Sequence, residues 1–357
     1  MVEWKGFRKG VDLGGWFSQC DYSEDRVMNF IREEDFAVIR SWGADHVRLP
    51  VDYNLLEDEE GNFLESGFAH VERALSYCLA AGLNTVLDLH KTPGFSFDPD
   101  EQESGFFDSE KYQERFYRIW EALAERFGKY TGRIAFELLN EVTEESYMPA
   151  WNRIAAECIR RIRVHAPEVP VLVGGYWHNS ARSVKAIDIP DDPHLVYNFH
   201  CYEPLIFTHQ GADWIPTMDP AFRIPVTASF GEMAEASERM VGGNTAGLEN
   251  YPPETVLSAE FFIDFLAEAA EAAEKRGVPL YCGEYGVIDR SKPEEALIWY
   301  RLIHQAFEHY GIGRAAWSYR QMDFGLSDAR MDAVRPELVL NLKNHDGSKS
   351  HVNCATG

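Results

Sequence analysis

The chain has 357 residues, of which 45% are hydrophobic, and a net charge of −24 from 34 basic and 58 acidic residues. A chain of this length can bury a large core, and the negative charge disfavours polyanionic partners, so we expect neither a nucleic acid nor a membrane surface as a partner. No apolar stretch approaches the roughly 20 residues that a membrane-spanning helix needs.

The organisation of the chain predicts one catalytic domain over residues 1–357. Linkers rich in Pro, Ser or Thr and short repeats are absent, and barrel enzymes reach this length as single domains. Met1 leads almost directly into a strand-like run, which leaves no room for a signal peptide. We therefore expect a monomer that is cytoplasmic, or secreted if a leader has been removed.

The cysteines are far apart in sequence and form no Cys-x-x-Cys pair, which indicates neither a zinc site nor a redox motif. We expect no metal and no cofactor. The six cysteines are Cys20, Cys78, Cys158, Cys201, Cys282 and Cys354.

Strand-like apolar runs alternate with amphipathic helical patterns along the chain. The predicted strands are 7–14, 44–50, 83–90, 133–141, 169–177, 194–202, 279–286 and 312–320. The helical patterns between them include 66–82, 110–130, 147–166, 258–277 and 293–310. Eight βα repeats predict an α/β fold of the (β/α)8 TIM-barrel type. An open dinucleotide-binding sheet is disfavoured, because the first strand is not followed by a Gly-x-Gly-x-x-Gly turn.

One segment, residues 203–257, interrupts this alternation after the sixth predicted strand. It is rich in Pro, Gly and aromatic residues, and a connection of roughly 55 residues within a compact domain usually has a function. Since it leaves the C-terminal end of a barrel strand, we predict an inserted subdomain over the active-site face. Trp214 is then a candidate platform for a sugar ring. The alternative is a small separate core packed on the side of the barrel.

Two glutamates end predicted strands: Glu141 ends the fourth and Glu284 lies near the end of the seventh. Taken singly, each is most simply a solvated residue or a helix-capping residue. Together, two facing carboxyl groups at the C-terminal end of a barrel are the usual means of breaking a glycosidic bond.

Many residues that should point into the barrel are polar, although a barrel interior is normally filled by branched apolar side chains. They come from six strands and converge on one end, which indicates an active site: His46, Arg48, Asp88, His90, Glu137, Glu141, Asn198, His200, Tyr202, Glu284 and Trp317.

Several residues near the strand ends suit sugar chemistry. Arg48 can hold a carboxylate in its charged form, and His200 with Tyr202 can position the other carboxylate. Asn140 can donate to a sugar hydroxyl, and Trp317 offers a flat apolar face for a pyranose ring.

These motifs resemble glycoside hydrolase family 5, in order and over nearly the whole chain. The matching stretches are Asp45–Pro50, Val86–His90, Ile134–Glu141, Val196–His200, Phe207–Gln210 and Leu280–Glu284.

The resemblance implies that Glu141 is the general acid/base and Glu284 the nucleophile of a retaining mechanism. It also implies a carboxyl separation of about 5 Å. For Glu141 to act as an acid, we expect its pKa to lie above that of a free glutamate, raised by the nearby Glu284 charge. The resemblance further implies a surrounding active-site set, namely Arg48, His90, Asn140, His200, Tyr202 and Trp317.

The expected activity is a retaining endo-β-glucanase on β-1,4 or mixed β-1,3-1,4 glucans, with β-glucan or cello-oligosaccharide as the substrate. Alternatives are an exo-acting β-glucosidase or β-1,3-glucanase on oligosaccharides, and a non-catalytic sugar-binding barrel. A metal-dependent barrel hydrolase is disfavoured, because the first strand lacks histidine. A Schiff-base aldolase is disfavoured, because Lys91 does not alternate inward.

Three departures from the family pattern leave the preferred substrate open. Asp12 stands where an asparagine is common, and residues 203–257 match only at their start. After the fifth predicted strand, the bulky Tyr176-Trp177-His178 replaces a smaller stretch, which makes Trp177 a further candidate for substrate binding.

Overall fold

The computed structural model describes residues 1–98 and 101–343. Eight parallel strands form a closed barrel in chain order, and β8 pairs with β1. The TIM barrel predicted from the sequence is confirmed. The strands are β1 Lys9–Asp12, β2 His46–Asp52, β3 Asn84–Lys91, β4 Ile134–Glu137, β5 Val171–Gly174, β6 Leu195–Cys201, β7 Leu280–Tyr285 and β8 Gly313–Ala316.

Helices surround the barrel, and within the described ranges none is long and apolar enough to cross a membrane. They are α1 Glu24–Asn29, α2 Glu33–Ser41, α3 Tyr53–Leu56, α4 Glu65–Ala81, α5 Glu110–Phe127, α6 Met148–His165, α7 Tyr176–Asn179, α8 Leu205–Thr208, α9 Phe230–Met240, α10 Ala259–Arg276, α11 Pro293–Tyr310 and α12 Arg335–Lys343. Element α7 is a single turn with left-handed residues at its centre. Five cysteines are free thiols, and Cys354 lies outside the described residues.

The long helices end where their sequences predict. The residues after α4, α10 and α11 are Gly82, Gly277 and Gly311, with φ of 73°, 74° and 71°. Glycine adopts this left-handed conformation without a Cβ penalty, so each chain can turn back into the next strand.

The barrel interior has an apolar floor and a polar upper layer. The floor is one buried cluster: Trp4, Phe7, Val86, Ala135, Leu172, Val196, Tyr281 and Ala315. Two residues further along β3, β4 and β6, the inward positions are Asp88, Glu137 and Asn198, because side chains alternate along a strand. The polar layer therefore lies at the C-terminal ends of the strands, above a buried apolar core.

Four predicted strands, the first, fourth, fifth and eighth, are at most half as long in the structure, and the lost residues lie in connecting segments. β4 ends at Glu137, so Glu141 lies in the following loop with φ of 43°. β5 ends at Gly174, which places Trp177 in α7, and Trp317 follows the last residue of β8. Past β4 and β8 the apolar run continues because Leu138, Leu139 and Trp317 are buried by loop packing, which a sequence pattern does not distinguish from sheet pairing.

The segment 203–257 lies in two parts. Its beginning, α8 and the residues up to Ile215, borders the C-terminal face, where Ala212 contacts a cluster that contains Trp317. Its later part packs on the outside of the barrel, where Phe230 of α9 lies edge-on to Phe261 of α10 with ring centroids 5.4 Å apart.

Candidate active site

Arg48 of β2 is the centre of the polar layer and is fully buried. Its Nε and Nη2 donate to the two carboxylate oxygens of Glu137 at 2.7 and 2.8 Å. Nη1 donates to Glu284 Oε1 at 2.7 Å and to Asp12 Oδ1 at 3.2 Å. Asp88 Oδ2 lies 3.0 Å from Nη2. One guanidinium thus contacts four carboxyl groups, which is stable only because each hydrogen bond is charge-assisted.

The pKa values of this cluster reflect burial and mutual repulsion. Burial raises the pKa of Asp12 well above its usual range, although Arg48 opposes this effect. Burial likewise raises the pKa of Glu137. For Arg48, burial lowers the pKa, but Asp88, Glu137 and Glu284 outweigh burial and raise it well above its ordinary value. The guanidinium therefore remains charged at any working pH.

Glu284 of β7 is held by two donors. Its Oε1 accepts from Arg48, and its Oε2 accepts from the Tyr202 hydroxyl at 2.8 Å. Burial, and then the Glu284 charge, raise the pKa of Tyr202 well above its usual range. The Tyr202 hydroxyl therefore keeps its proton at any working pH, and its hydrogen bond fixes the position of Glu284 Oε2.

Glu141 has imidazole partners on both oxygens. His200 Nδ1 lies 2.7 Å from Oε1, and His178 Nδ1 lies 3.0 Å from Oε2. The carboxyl group is nearly buried, with 12% of its side chain exposed, while 55% of the His178 side chain is exposed. His200 and Tyr202 thus hold different glutamates: His200 contacts Glu141, and Tyr202 contacts Glu284.

The expectation that the Glu141 pKa is raised in the free protein is wrong. Burial alone would raise this pKa, but the hydrogen bonds from His178 and His200, with their charge, outweigh burial and lower it. The sequence predicts that Glu284 lies nearby and that His200 positions a carboxylate, but no sequence pattern places a second imidazole, that of His178, against Glu141.

The two glutamates face each other across the barrel mouth. Glu141, His200 and Glu284 each offer an atom within 4.8 Å of the others. Among the described residues, these three form a group that could hold a cation, but protein groups already contact both carboxylates: Arg48 at Glu284 and the imidazoles at Glu141. The donor set fits proton transfer better than metal binding.

At Gly283, immediately before Glu284, the backbone passes very close to the side chains of Asn198 and His200. An added Cβ at Gly283, next to Glu284, would lie 2.8 Å from Asn198 Oδ1 and 3.0 Å from His200 Nε2. Asn198 Nδ2 in turn donates to Glu137 Oε1 at 2.8 Å. Only glycine leaves room for this interior network immediately before Glu284.

His90 and Trp317 form a second wall of the site. His90 Nδ1 lies 2.6 Å from Asp88 Oδ2, and its ring is parallel to that of Trp317, with an interplanar angle of 2° and centroids 5.8 Å apart. Burial lowers the His90 pKa, but Asp88 outweighs burial and raises it. An added Cβ at Gly14 would lie 2.6 Å from the Trp317 ring, so glycine lets this indole lie flat at the mouth.

Asn140 immediately precedes Glu141 and is held by the central arginine. Its Oδ1 accepts from Arg48 Nη2 at 2.8 Å. Its buried Nδ2 has no hydrogen-bond partner among the described residues. A buried amide donor without a partner is costly, so this group is suited to a polar ligand.

Trp177 and Trp214, the two tryptophans predicted as further substrate-binding candidates, are both exposed and lie in different segments of the chain. Trp177 of α7 is 52% exposed, and Trp214 is 40% exposed. Trp214 packs against His209 and Phe324, with centroids 6.0 and 6.4 Å away. The His209 ring in turn contacts the Tyr202 ring, with centroids 5.0 Å apart. The His209 ring therefore lies between Trp214 and Tyr202, which contacts Glu284.

Three residues contribute to the site without a sequence signal for their roles. In the sequence, His178 is only part of a bulky stretch, and Asn179, whose Nδ2 lies 3.5 Å from His200 Nε2, follows it as an ordinary polar residue. Asp12 is recognisable only as a departure from the family pattern. No local pattern could identify His178, because its contact depends on a left-handed backbone.

We expect Arg48→Met to destabilise the fold and to abolish activity together. Removing the guanidinium leaves buried carboxylates unpaired, which costs about 3–5 kcal/mol. Their folded-state pKa values then lie above the unfolded values, so stability is retained at low pH and is lost as the pH rises through the folded-state values. Thermal melts should therefore show a smaller deficit at mildly acidic pH than at neutral pH. A deficit that does not depend on pH would contradict this account.

The comparisons agree with the geometry. A family model described as "Cellulase (glycosyl hydrolase family 5)" matches residues 8–323. Cellodextrinase A of Ruminococcus flavefaciens is 44% identical over 357 residues, which covers 100% of this chain and 97% of that protein. Endoglucanase C of Acetivibrio thermocellus is 36% identical over 341 residues, covering 93% of this chain and 97% of that protein. A solved hyperthermophilic endo-beta-1,4-glucanase in complex with substrate has a similar fold, with a TM-score of 0.75 at 21% identity, covering 96% of this chain and 98% of that chain.

Proposed function

The chain belongs to glycosyl hydrolase family 5, and from this premise we propose that it is a retaining endo-β-glucanase in which Glu284 is the nucleophile and Glu141 the acid/base. It is a glycoside hydrolase of the cellulase type. The proposed substrates are β-1,4 or mixed β-1,3-1,4 glucans.

The observation that carries the assignment of roles is the contrast between the two glutamates. Their closest oxygens lie within 4.8 Å, and retaining enzymes place their carboxyl groups about 5–5.5 Å apart, against about 6.5–9.5 Å in inverting enzymes. Glu284 accepts hydrogen bonds from Arg48 and Tyr202, which fix the position of its carboxylate, as a nucleophile requires. Glu141 contacts groups that carry exchangeable protons, as an acid/base requires.

In the first step, a carboxylate oxygen of Glu284 bonds to the anomeric carbon while the bond to the glycosidic oxygen breaks. Glu141 gives its proton to the departing oxygen. Arg48 and Tyr202 orient Glu284 for this attack. The Asn140 amide is placed to donate to a sugar hydroxyl, and the Trp317 ring to stack on the sugar.

In the second step, water attacks the anomeric carbon of the glycosyl-enzyme, and the bond to Glu284 breaks. Glu141 takes the proton of that water. The two displacements together return the product with its original anomeric configuration.

A second candidate concerns the length of the substrate. The relative that is 44% identical over the whole chain is named a cellodextrinase, which favours short cello-oligosaccharides as the preferred substrate of this chain. The exo-acting alternative also favours short substrates. The products distinguish exo action from endo action.

A panel of cellulose, lichenan, laminarin, xylan and mannan, with linkage analysis of the products, tests the proposed activity. Random shortening of a long glucan is expected for endo action, and steady release of one small sugar indicates exo action. Faster turnover of cellodextrins than of polymer would support the cellodextrinase candidate. Absence of cleavage of every β-glucan would overturn the proposed function.

Trp214 is proposed to stack on a sugar beyond the cleavage point. A stacked aromatic ring contributes on the order of 1 kcal/mol, so Trp214→Ala is expected to raise the KM for oligosaccharides severalfold. Turnover of a short aryl glycoside should change little, because that substrate does not reach the outer ring. Trp214→Phe, which keeps an aromatic face, is the matched control. Equal losses on both substrates, or a large fall in melting temperature, would assign Trp214 to packing with Phe324 instead.

We further propose that the protein acts on a neutral glucan as a monomer. A neutral glucan is compatible with the charge of −24, and a monomer is expected by size-exclusion chromatography with light scattering.

A further inference from the structure

His178 occupies an unusual position relative to Glu141. It contacts Oε2, the oxygen that His200 does not engage, and its side chain is 55% exposed. His200 is buried, with 1% of its side chain exposed. Of the two imidazoles on Glu141, only His178 can therefore exchange protons directly with solvent.

The backbone that presents His178 is strained and held by its surroundings. Trp177, His178 and Asn179 are consecutive non-glycine residues with φ of 50°, 55° and 55°. Backbone strain of this kind persists only where the surrounding structure determines it, and it is concentrated at functional sites.

Two sets of contacts hold this turn. The amides of Trp177 and His178 donate to the carbonyls of Thr143 and Val142, immediately after Glu141. Behind the turn, an added Cβ at Gly174 would lie 2.3 Å from Asn179 Oδ1, so the turn packs directly on the end of β5. These contacts fix His178 to the same loop that carries Glu141.

We propose that His178 is a positioning and proton-transfer residue that supplies the proton of Glu141 in the first half-reaction and takes it back in the second. This inference rests on the proposed function. An acid whose pKa is lowered by two imidazole donors would be ionised at neutral pH, so its proton must be held nearby. His178 is placed to hold it, because it is charged when protonated and contacts the free oxygen of Glu141.

The proton balance closes over one turnover. The Nδ1–H bond of imidazolium His178 breaks as an O–H bond forms on Glu141 Oε2, and Glu141 passes this proton to the glycosidic oxygen as Glu284 bonds to the anomeric carbon. In the second half, water attacks that carbon and the bond to Glu284 breaks. The proton of the water moves to Glu141 and then to the neutral imidazole, which restores the starting state.

The charges around His178 favour its protonated form. It faces Glu141 directly, with Glu144 and Glu284 further away, and these charges outweigh burial and raise its pKa. His200 shares Glu141 from the barrel side, and the neighbouring His209 has its pKa lowered to about 4, chiefly by burial, so it is neutral. The pair of Glu141 and His178 should therefore retain one proton to higher pH than Glu141 alone.

His178→Gln tests the inference, because glutamine keeps a hydrogen bond but cannot titrate. On cello-oligosaccharides, we expect kcat at neutral pH to fall about tenfold or more and the basic limb of the pH profile to move to lower pH by about one unit. The kcat/KM for an activated aryl glycoside, which reports a step without acid assistance, should be unchanged.

His178→Gly is a second variant that should fold, because glycine adopts a φ of 55° without strain. It also leaves space for a small base. Added imidazole should restore part of its activity on cello-oligosaccharides. The matched control is His165→Gln, an exposed histidine at the end of α6, which should behave as wild type.

An unchanged pH profile in both His178 variants would overturn the inference, as would an equal loss on both substrates at every pH with a lower melting temperature. Neither result would affect the proposed function, which stands on cleavage of β-glucan by the wild-type protein and on the glutamate variants. Failure of the wild-type protein to cleave any β-glucan would overturn the proposed function itself.

Discussion

Replacing Glu284 with alanine is expected to lower kcat by several orders of magnitude on every substrate, because the covalent intermediate can no longer form. The position it vacates lies between Arg48 and Tyr202. A small anion such as azide suits this position, because Arg48 and Tyr202 both offer hydrogen-bond donors there. With an activated aryl glycoside, azide should restore turnover and give a product of inverted configuration, since a single displacement replaces two.

The stability of this variant provides a second readout. Glu284 is one of four carboxyl groups around Arg48, and its charge adds to the effects that raise the Asp12 pKa. Glu284→Ala removes one negative charge from this cluster and leaves Arg48 paired with the others. We therefore expect a melting temperature no lower than that of the wild type. Glu260→Ala, an exposed position on α10, is the matched control. Near wild-type turnover of Glu284→Ala would end the assignment of the nucleophile.

Replacing Glu141 with alanine is expected to produce a loss that depends on the leaving group. A natural glucan needs a proton on the departing oxygen, and general acid catalysis contributes about 10²–10⁴-fold. An activated phenol departs without that proton, so kcat/KM for an aryl glycoside should fall far less. Azide should again accelerate turnover, but by attacking the glycosyl-enzyme, and the product should keep its configuration.

The contrast in product stereochemistry separates the two glutamates without any structural assumption. Inversion is expected with Glu284→Ala and retention with Glu141→Ala. If the loss in Glu141→Ala were the same for good and poor leaving groups, Glu141 would not be the proton donor. The basic limb of the pH profile on cello-oligosaccharides should also disappear or change in this variant, because the proton shared with His178 has lost its acceptor.

The sequence was sufficient for the fold because its determinants are local and periodic. Apolar runs, amphipathic helices and glycine stops such as Gly82 and Gly277 recur in phase, and eight repeats leave few arrangements other than a closed barrel. The boundaries were less predictable. Asn140 and Glu141 belong to an apolar run but not to β4, since pairing with neighbouring strands, and not hydrophobicity, ends a strand.

The sequence also predicted that the polar residues lie close together, because the inward-pointing residues near the C-terminal ends of parallel strands meet at one end of a barrel. It could not assign their contacts. For Arg48, the sequence allows pairing either with the nucleophile or with structural carboxylates. The structure shows it bound to Glu284 and to Glu137, because a planar guanidinium has five donors and serves both.

The sequence by itself thus determined the barrel and the residue types at its mouth, because periodicity and strand alternation are properties of short segments. Only the tertiary structure decided which imidazole faces which carboxylate. His178 reaches Glu141 through three consecutive left-handed residues, and that conformation is imposed by packing against the end of β5 and the loop after Glu141. The lowered pKa of Glu141 follows from its contacts with both His178 and His200, because the electrostatics of a buried group depend on neighbours that are distant in sequence.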